Sequence, residues 1–422
     1  MDKPIVSILI SCYNHEKFVE KAIDSVMSQT FSNIELLITD DGSTDNSRDV
    51  IERTLLKYEN DPRIHYFPNV VNTAFRSYEA LQTQIKGKYF ACLGSDDIWE
   101  PDKLQTQVDF LENHPEYKAC FTWVNVLSDS PDCKKENETF FNINNRSQID
   151  WIRLFVLEGN RMCAPSLLMC SDVWRELGGF DFSYRNLQDY DLWLRFVVKY
   201  QFYILQEKLT NYRKHDGNLS NNRDKGAISC NSVEMQYVHL NFMELIPSEL
   251  FMKSFYPGVE LDTNAEDYEL EVCCRKFLMY INLEPLHANN AAISFWFRHR
   301  KDEGFLDKLE NDFNYSRSDM YRHRANDSAN RKLIDLFMEN ASLRDMMAAG
   351  RIHIETLDRS DEDLVEELLN FIDGKYVNKD EAWNKILEDH IIALFRMCKK
   401  MPDGDRNFVE VIQAMYQKKN GD

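Results

Sequence analysis

Two adjacent carboxylates, Asp96 and Asp97, follow the short apolar run Tyr89-Phe90-Ala91-Cys92-Leu93 and precede Ile98-Trp99. A strand that ends in acids sets them at the C-terminal edge of a sheet, where open α/β folds bind ligands and where carboxylates can hold a divalent ion. Neighbouring acids repel one another unless a cation or distance relieves them, so a metal-bound phosphate is the chemistry this pair suggests. Three further clusters have the same character. Asp40-Asp41-Gly42-Ser43 offers a carboxylate that could accept the ring N–H of a uracil or guanine, or could serve only as a helix cap. Ser11-Cys12-Tyr13-Asn14 offers an aromatic face for a base and a small hydroxyl residue, in a pattern that plain turn chemistry also produces. Asp189 and Asp191 open the segment Gln188–Arg195; one of them facing a pocket could act as a general base, while acids in a first helical turn also suit the helix dipole.

The elements that must position these groups are of two kinds. Up to about residue 125, apolar runs alternate with helical patterns, the signature of βαβ units and a mostly parallel sheet. The predicted strands are Ile5–Ser11, Ile34–Asp40, Arg63–Phe67, Tyr89–Leu93 and Ala119–Val126, with helices over Glu16–Gln29 and Asp45–Tyr58. Ser43 or Thr44 is placed to cap the second helix. Ser128–Ser147 is polar with little periodicity and reads as a surface loop. Helix and strand signals resume from Trp151 to about Arg213. Beyond about residue 225 the pattern is helical, as in Leu364–Phe371 and Trp383–Met397, so the expected organisation is an α/β domain over 1–225 and an all-helical domain over 226–422.

The bulk numbers narrow the classes. A chain of 422 residues with 43% hydrophobic residues can bury two cores, and a formal charge of −20 disfavours non-specific nucleic-acid binding, which needs a basic surface. An anionic substrate would then need a cation to mediate its binding. The ten cysteines show no CxxC pair or zinc-type spacing and read as thiols in a reducing compartment. The N-terminal apolar stretch is too short for a signal segment, and no window approaches the roughly 20 apolar residues of a membrane span. The expected location is cytoplasmic. Ile293–Lys301 joins three aromatics to basic residues, a composition suited either to packing between helices or to a peripheral seat on the inner membrane face.

Four ordered motifs carry a family resemblance over residues 4–220: Pro4–Asn14, Ala22–Thr30, Asp40–Asp45 and Gln188–Arg195. Together they resemble glycosyltransferase family 2. The resemblance implies a GT-A fold, a Rossmann-like nucleotide-binding sheet, and a metal-dependent reaction that inverts the anomeric carbon of a nucleotide-activated sugar. It implies a nucleotide site of Ser11, Tyr13, Asn14, Asp41 and Ser95, with Tyr13 on the base and Asp41 accepting its N–H. Asp96, as second acid of the D-x-D motif, would ligate Mn²⁺ or Mg²⁺, with Asp97 and His215 as further metal residues, and Asp189 would be the general base. His215 falls in Tyr212–Ser220, which resembles the family's closing loop. The implied partners are a nucleotide-sugar donor, a UDP-sugar by preference, and a glycan or lipid-linked glycan acceptor in cell-surface polysaccharide synthesis.

The sequence departs from that pattern at three places. Gly94 stands where the first D-x-D acid is usual, a loss for which Asp97 could compensate. Asn72–Arg76 lacks the customary glycine, and Gln188 replaces a glutamate before the base. Gly159–Ser166 falls at the acceptor-facing loop without identifying an acceptor. The Gly94 substitution keeps open a catalytically inactive nucleotide-binding scaffold, and a nucleotidyltransferase would use the same sheet edge but lacks its glycine-rich basic loop here.

Overall fold

A computed structural model describes residues 5–58, 61–73, 76–128, 131–215, 218, 225–283 and 286–325. The first two strands, β1 (Val6–Cys12) and β2 (Ile34–Asp40), are buried along nearly their whole length, as strands covered on both faces must be. Between them α1 (Val19–Met27) turns Val19, Ala22, Ile23 and Val26 onto the sheet. Next follow α2 (Ser47–Leu56), β3 (Ile64–Pro68), α3 (Arg76–Gln82), β4 (Tyr89–Gly94), β5 (Ile98–Trp99), α4 (Lys103–Asn113) and β6 (Ala119–Leu127). After them come α5 (Pro131–Phe141), α6 (Gln148–Glu158), β7 (Leu168–Cys170), α7 (Ser171–Glu176), α8 (Gln188–Val197) and β8 (Phe202–Arg213).

The eight strands form one sheet in the order β3-β2-β1-β4-β7-β6-β8-β5. The pairs β1/β2, β1/β4, β2/β3 and β6/β8 are parallel, while β7 joins β4 and β6 antiparallel. The sheet core gathers Val6, Ile8, Ile10, Leu36, Ile38, Ala91 and Leu93 beneath α1 and α4 residues such as Ile23 and Leu104. Strand β5 pairs antiparallel with β8, Ile98 beside Asn211 and Trp99 beside Thr210. That short pairing returns the end of β8 to the turn that follows β4. This topology is the GT-A fold expected from the sequence.

One expectation is corrected. The polar stretch 128–147 contains a helix, α5, where a loop was expected. Strand β7 reaches only Ala119 and Cys120 of β6, so the rest of that edge needs other partners. The Asn142 side chain supplies them at Val124, accepting its N–H at 2.7 Å and donating to its carbonyl at 2.9 Å, and Glu138 accepts the Val126 N–H at 3.2 Å. Polar residues stand in for a strand there, which hides the helix from any reading of apolar periodicity.

The change of character near residue 225 is a change from sheet to helix. Helices α9 (Lys225–Leu245), α10 (Ser248–Phe255), α11 (Tyr268–Ile281), α12 (Leu286–His299) and α13 (Glu303–Phe313) follow. They pack on one another, with α9 against α8 and α10 against α6. By contact the chain divides into Met1–Ser316 and Arg317–Asp422, so these helices share one compact unit with the sheet. The described part of the second unit is α14 (Arg317–Ala325). The helices expected at Leu364–Phe371 and Trp383–Met397 lie outside the described residues. In α12, Phe295 and Trp296 are buried and Phe297 is the exposed aromatic. Among the described residues no helix is long and apolar enough to cross a membrane.

Candidate active site

The register of the central strands brings three of the sequence clusters to one edge. Ser11 lies beside Thr39 on one side and Gly94 on the other, and Cys12 lies beside Asp40. The chain leaves β1 for β2 in one direction and places β4 on the other side, so this edge is a topological switch point, where open sheets bind ligands.

On the β2 side, Asp41 is buried and its backbone N–H donates to the Cys12 carbonyl at 2.8 Å. Its Oδ1 accepts from Thr73 Oγ1 at 2.6 Å, Ser77 Oγ at 2.8 Å, the Thr73 N–H at 3.2 Å and Asn69 Nδ2 at 3.3 Å. Four donors fix the carboxylate, and among the described residues none is bonded to Oδ2. Thr73 thus has a definite task in the loop that lacks a glycine. Gly42 has φ +71°, and a Cβ there would lie 2.3 Å from the Val71 carbonyl carbon, so only glycine lets the 69–73 loop approach. Tyr13 is 42% exposed, an aromatic face open to a ligand. Asn14 is turned otherwise than expected of a ligand contact: with φ 55°, its Oδ1 accepts the Thr44 N–H at 2.8 Å and its own N–H donates to Ser43 Oγ at 3.0 Å.

On the β4 side, the turn Ser95-Asp96-Asp97 closes with the Asp97 N–H on the Gly94 carbonyl at 3.0 Å. The two acids diverge. Asp96 Oδ2 is 3.1 Å from His215 Nε2 and accepts from Asn218 Nδ2 at 2.9 Å. Asp97 Oδ1 instead accepts the Arg213 N–H at 2.8 Å, while Arg213 Nε donates to the Asp96 carbonyl at 2.8 Å. Loss of hydration, with Asp96 adding to it, holds Asp97 well above the usual carboxylate range despite Arg213. Gly94 explains the geometry, since a Cβ there would meet Asp97 Oδ2 at 2.6 Å and Asp96 Oδ1 at 2.8 Å. The carboxylates occupy the room that the missing first acid would need.

His15, which the sequence reading passed over, enters from the β1–α1 loop. Its Nδ1 lies 2.7 Å from Ser95 Oγ, and its ring stands edge-on to His215 with centroids 5.6 Å apart. Ligand atoms of His15, Asp96 and His215 all lie within 4.8 Å of one another, which suits a divalent ion, and Asp97 is outside that group. Loss of hydration lowers His15 below its ordinary value, with Asp96 opposing and His215 assisting. Of the closing loop, His215 and Asn218 are among the described residues, and the His215 N–H donates to Asn218 Oδ1 at 2.5 Å.

The acids of α8 separate by partner. Asp191 pairs with Arg195 at 2.7 Å, and Arg195 also donates to the Leu177 and Gly179 carbonyls, so this acid pins a loop. Asp189 has no cationic partner among the described residues. Its Oδ2 accepts from Asn160 Nδ2 at 2.9 Å and its Oδ1 from the Tyr190 N–H at 2.7 Å. Loss of hydration outweighs these bonds and the helix terminus, and pushes its carboxyl up to about 6. The loop that carries Asn160 continues to Cys163 and Ala164, whose carbonyl accepts from Cys92 Sγ at 3.5 Å. Burial raises the Cys92 and Cys163 thiols, and Asp97 and Asp189 both push them further up. None of the described cysteines forms a disulfide.

Comparison with known proteins adds three findings. The profile of glycosyl transferase family 2 matches residues 7–173. An uncharacterized glycosyltransferase of Rickettsia prowazekii is 30% identical over 222 residues, 52% of this chain and 66% of that protein; another, of Methanocaldococcus jannaschii, is 28% identical over 50% of this chain and 72% of that protein. The chain thus spans just under two thirds of the length of the rickettsial relative. A crystal structure of S. aureus TarS 1-349 in complex with UDP-GlcNAc aligns with a TM-score of 0.49 and 16% identity, covering 78% of this chain and 91% of that one.

Proposed function

Residues 7–173 make this chain a member of glycosyl transferase family 2, and from that premise we propose that it transfers a sugar from a nucleotide donor to a hydroxyl of a glycan acceptor, with inversion at the anomeric carbon. The donor proposed is a UDP-sugar and the acceptor a growing cell-surface glycan. The observation that carries the reading is Asp189: a carboxylate at the start of α8, held by Asn160 and raised to about 6. A base of that acidity is ionised at neutral pH and still basic enough to take a proton from a hydroxyl as it attacks.

The roles follow from the partners. Tyr13 offers its face to the base, and Asp41, fixed through Oδ1, presents Oδ2 to the imide N–H of uracil. Ser11 and Ser95 line the strand ends between them. As the acceptor oxygen bonds to the anomeric carbon, the bond from that carbon to the diphosphate oxygen breaks, and Asp189 holds the acceptor's proton. A Mn²⁺ or Mg²⁺ ion held by Asp96 and His215 would supply positive charge against the leaving diphosphate. One displacement suffices, so no Ser, Cys or Lys nucleophile is required.

A panel of nucleotide-sugars assayed for slow metal-dependent hydrolysis identifies the donor without knowledge of the acceptor. With that donor, Asp189→Asn is expected to cut transfer by at least about 10²-fold while UDP binding stays within about twofold. Unchanged turnover in Asp189→Asn would sink the assignment of the base.

A further inference from the structure

We propose that the divalent ion is seated by three protein ligands, His15, Asp96 and His215, before any nucleotide arrives, and that this donor set favours cobalt- and zinc-class ions over magnesium. The proposal rests on the transferase reading for the presence of an ion, but it concerns ion binding alone.

The geometry supports a shared centre. Two neighbouring ligands of one ion, each at ~2.1 Å, lie ~3 Å apart, and His215 Nε2 stands 3.1 Å from Asp96 Oδ2. The ligand atoms of all three residues lie within 4.8 Å of one another. Two of the three ligands also have an outer partner that orients them, as metal ligands do: Ser95 Oγ on His15 Nδ1, and Asn218 Nδ2 on Asp96 Oδ2. The Ser95 contact leaves Nε2 as the His15 nitrogen for an ion. Asp97 is the alternative third ligand, but it lies outside the cluster and its Oδ1 is taken by the Arg213 N–H.

The donor set decides the ion. A pair of carboxylates with water suits Mg²⁺, whereas imidazoles suit the later first-row ions, whose affinities rise from Mn²⁺ through Co²⁺. Replacing one carboxylate by two imidazoles moves this site along that order. Three protein ligands also give an ion more to hold than a single carboxylate would, so the diphosphate need not be present first.

The test is calorimetric titration of the nucleotide-free full chain with Co²⁺, Zn²⁺, Mn²⁺ and Mg²⁺, together with the visible absorption of bound Co²⁺. The expected result is one ion per chain, Co²⁺ at least ~10-fold tighter than Mg²⁺, and a cobalt spectrum of mixed nitrogen and oxygen ligation. His15→Asn keeps a polar atom for Ser95 and removes Nε2; it is expected to weaken Co²⁺ at least ~10-fold at an unchanged melting temperature, and His15→Ala to do the same. Asp97→Asn is expected to leave Co²⁺ affinity within about twofold. Equal affinity for Mg²⁺ and Co²⁺, no ion bound without nucleotide, or a larger loss in Asp97→Asn than in His15→Asn each overturns the proposal. Failure of the transferase reading would show separately, as bound Co²⁺ with no nucleotide-sugar hydrolysed.

Discussion

Asn160 donates to Asp189 across 2.9 Å, from the loop after α6 to the first turn of α8. The bond stabilises the ionised carboxyl against the loss of hydration that raises it to about 6. Asn160 is therefore a positioning residue for the base, fixing both its rotamer and its acidity.

Asn160→Ala removes a donor to the charged form, so the Asp189 carboxyl moves further up. The acidic limb of the pH profile of kcat/KM is expected to shift to higher pH, by up to roughly one unit for a hydrogen bond of ordinary strength. KM for the donor should stay within about twofold. A lower plateau with an unmoved limb would assign Asn160 to packing alone.

Asp189 also carries a stability signature. Its folded value, about 6, lies above the unfolded value near 3.8, so the native state holds its proton more tightly and loses stability as pH rises between those two values. The penalty is fully present at neutral pH and amounts to at most about 3 kcal/mol. Asp189→Asn is expected to melt above the parent at pH 7.5, with the difference shrinking toward zero below about pH 4. Equal melting temperatures at both pH values would show that the buried charge costs nothing.

Gly94 invites the substitution that restores the customary first acid. Because the site for its Cβ is filled by carboxylate oxygens at 2.6 and 2.8 Å, Gly94→Asp is expected to lower activity by about tenfold or more and to destabilise the fold by about 1–3 kcal/mol, a typical cost of overpacking. Gly94→Ala should show the same direction, since the Cβ alone makes the clash. A gain in metal affinity or rate in Gly94→Asp would show that the two acids swing away freely.

Much of the sheet was legible because buried parallel strands are continuous apolar runs, and β1, β2 and β4 lie within a residue of their expected bounds. Asp41 and Asp96 were legible as acids at strand ends. His15 was not, because nothing in its own neighbourhood marks it; what matters is that the β1–α1 loop and the end of β8 meet at the switch point. A count of every polar residue between β1 and the start of α1, in place of the first four, would have included it. Asn160 lay inside a loop noted for its place and not for its chemistry, and its partner is 29 positions away. The divergence of Asp96 from Asp97 depends on Arg213, another pairing across the fold.

The connections leaving β1 and β2 hold one another at their tips. The Asn14 side chain accepts from Thr44, the His15 N–H donates to Ser47 Oγ at 2.8 Å, and Glu16 exchanges bonds with Asp45 and Asn46. Each segment thus fixes the backbone of the other just ahead of its helix. The two loops are in consequence a single unit of inheritance. Transplanting one without its mate would break all of these bonds at once, and an effort to alter base preference by grafting must move Tyr13–Glu16 and Gly42–Ser47 together.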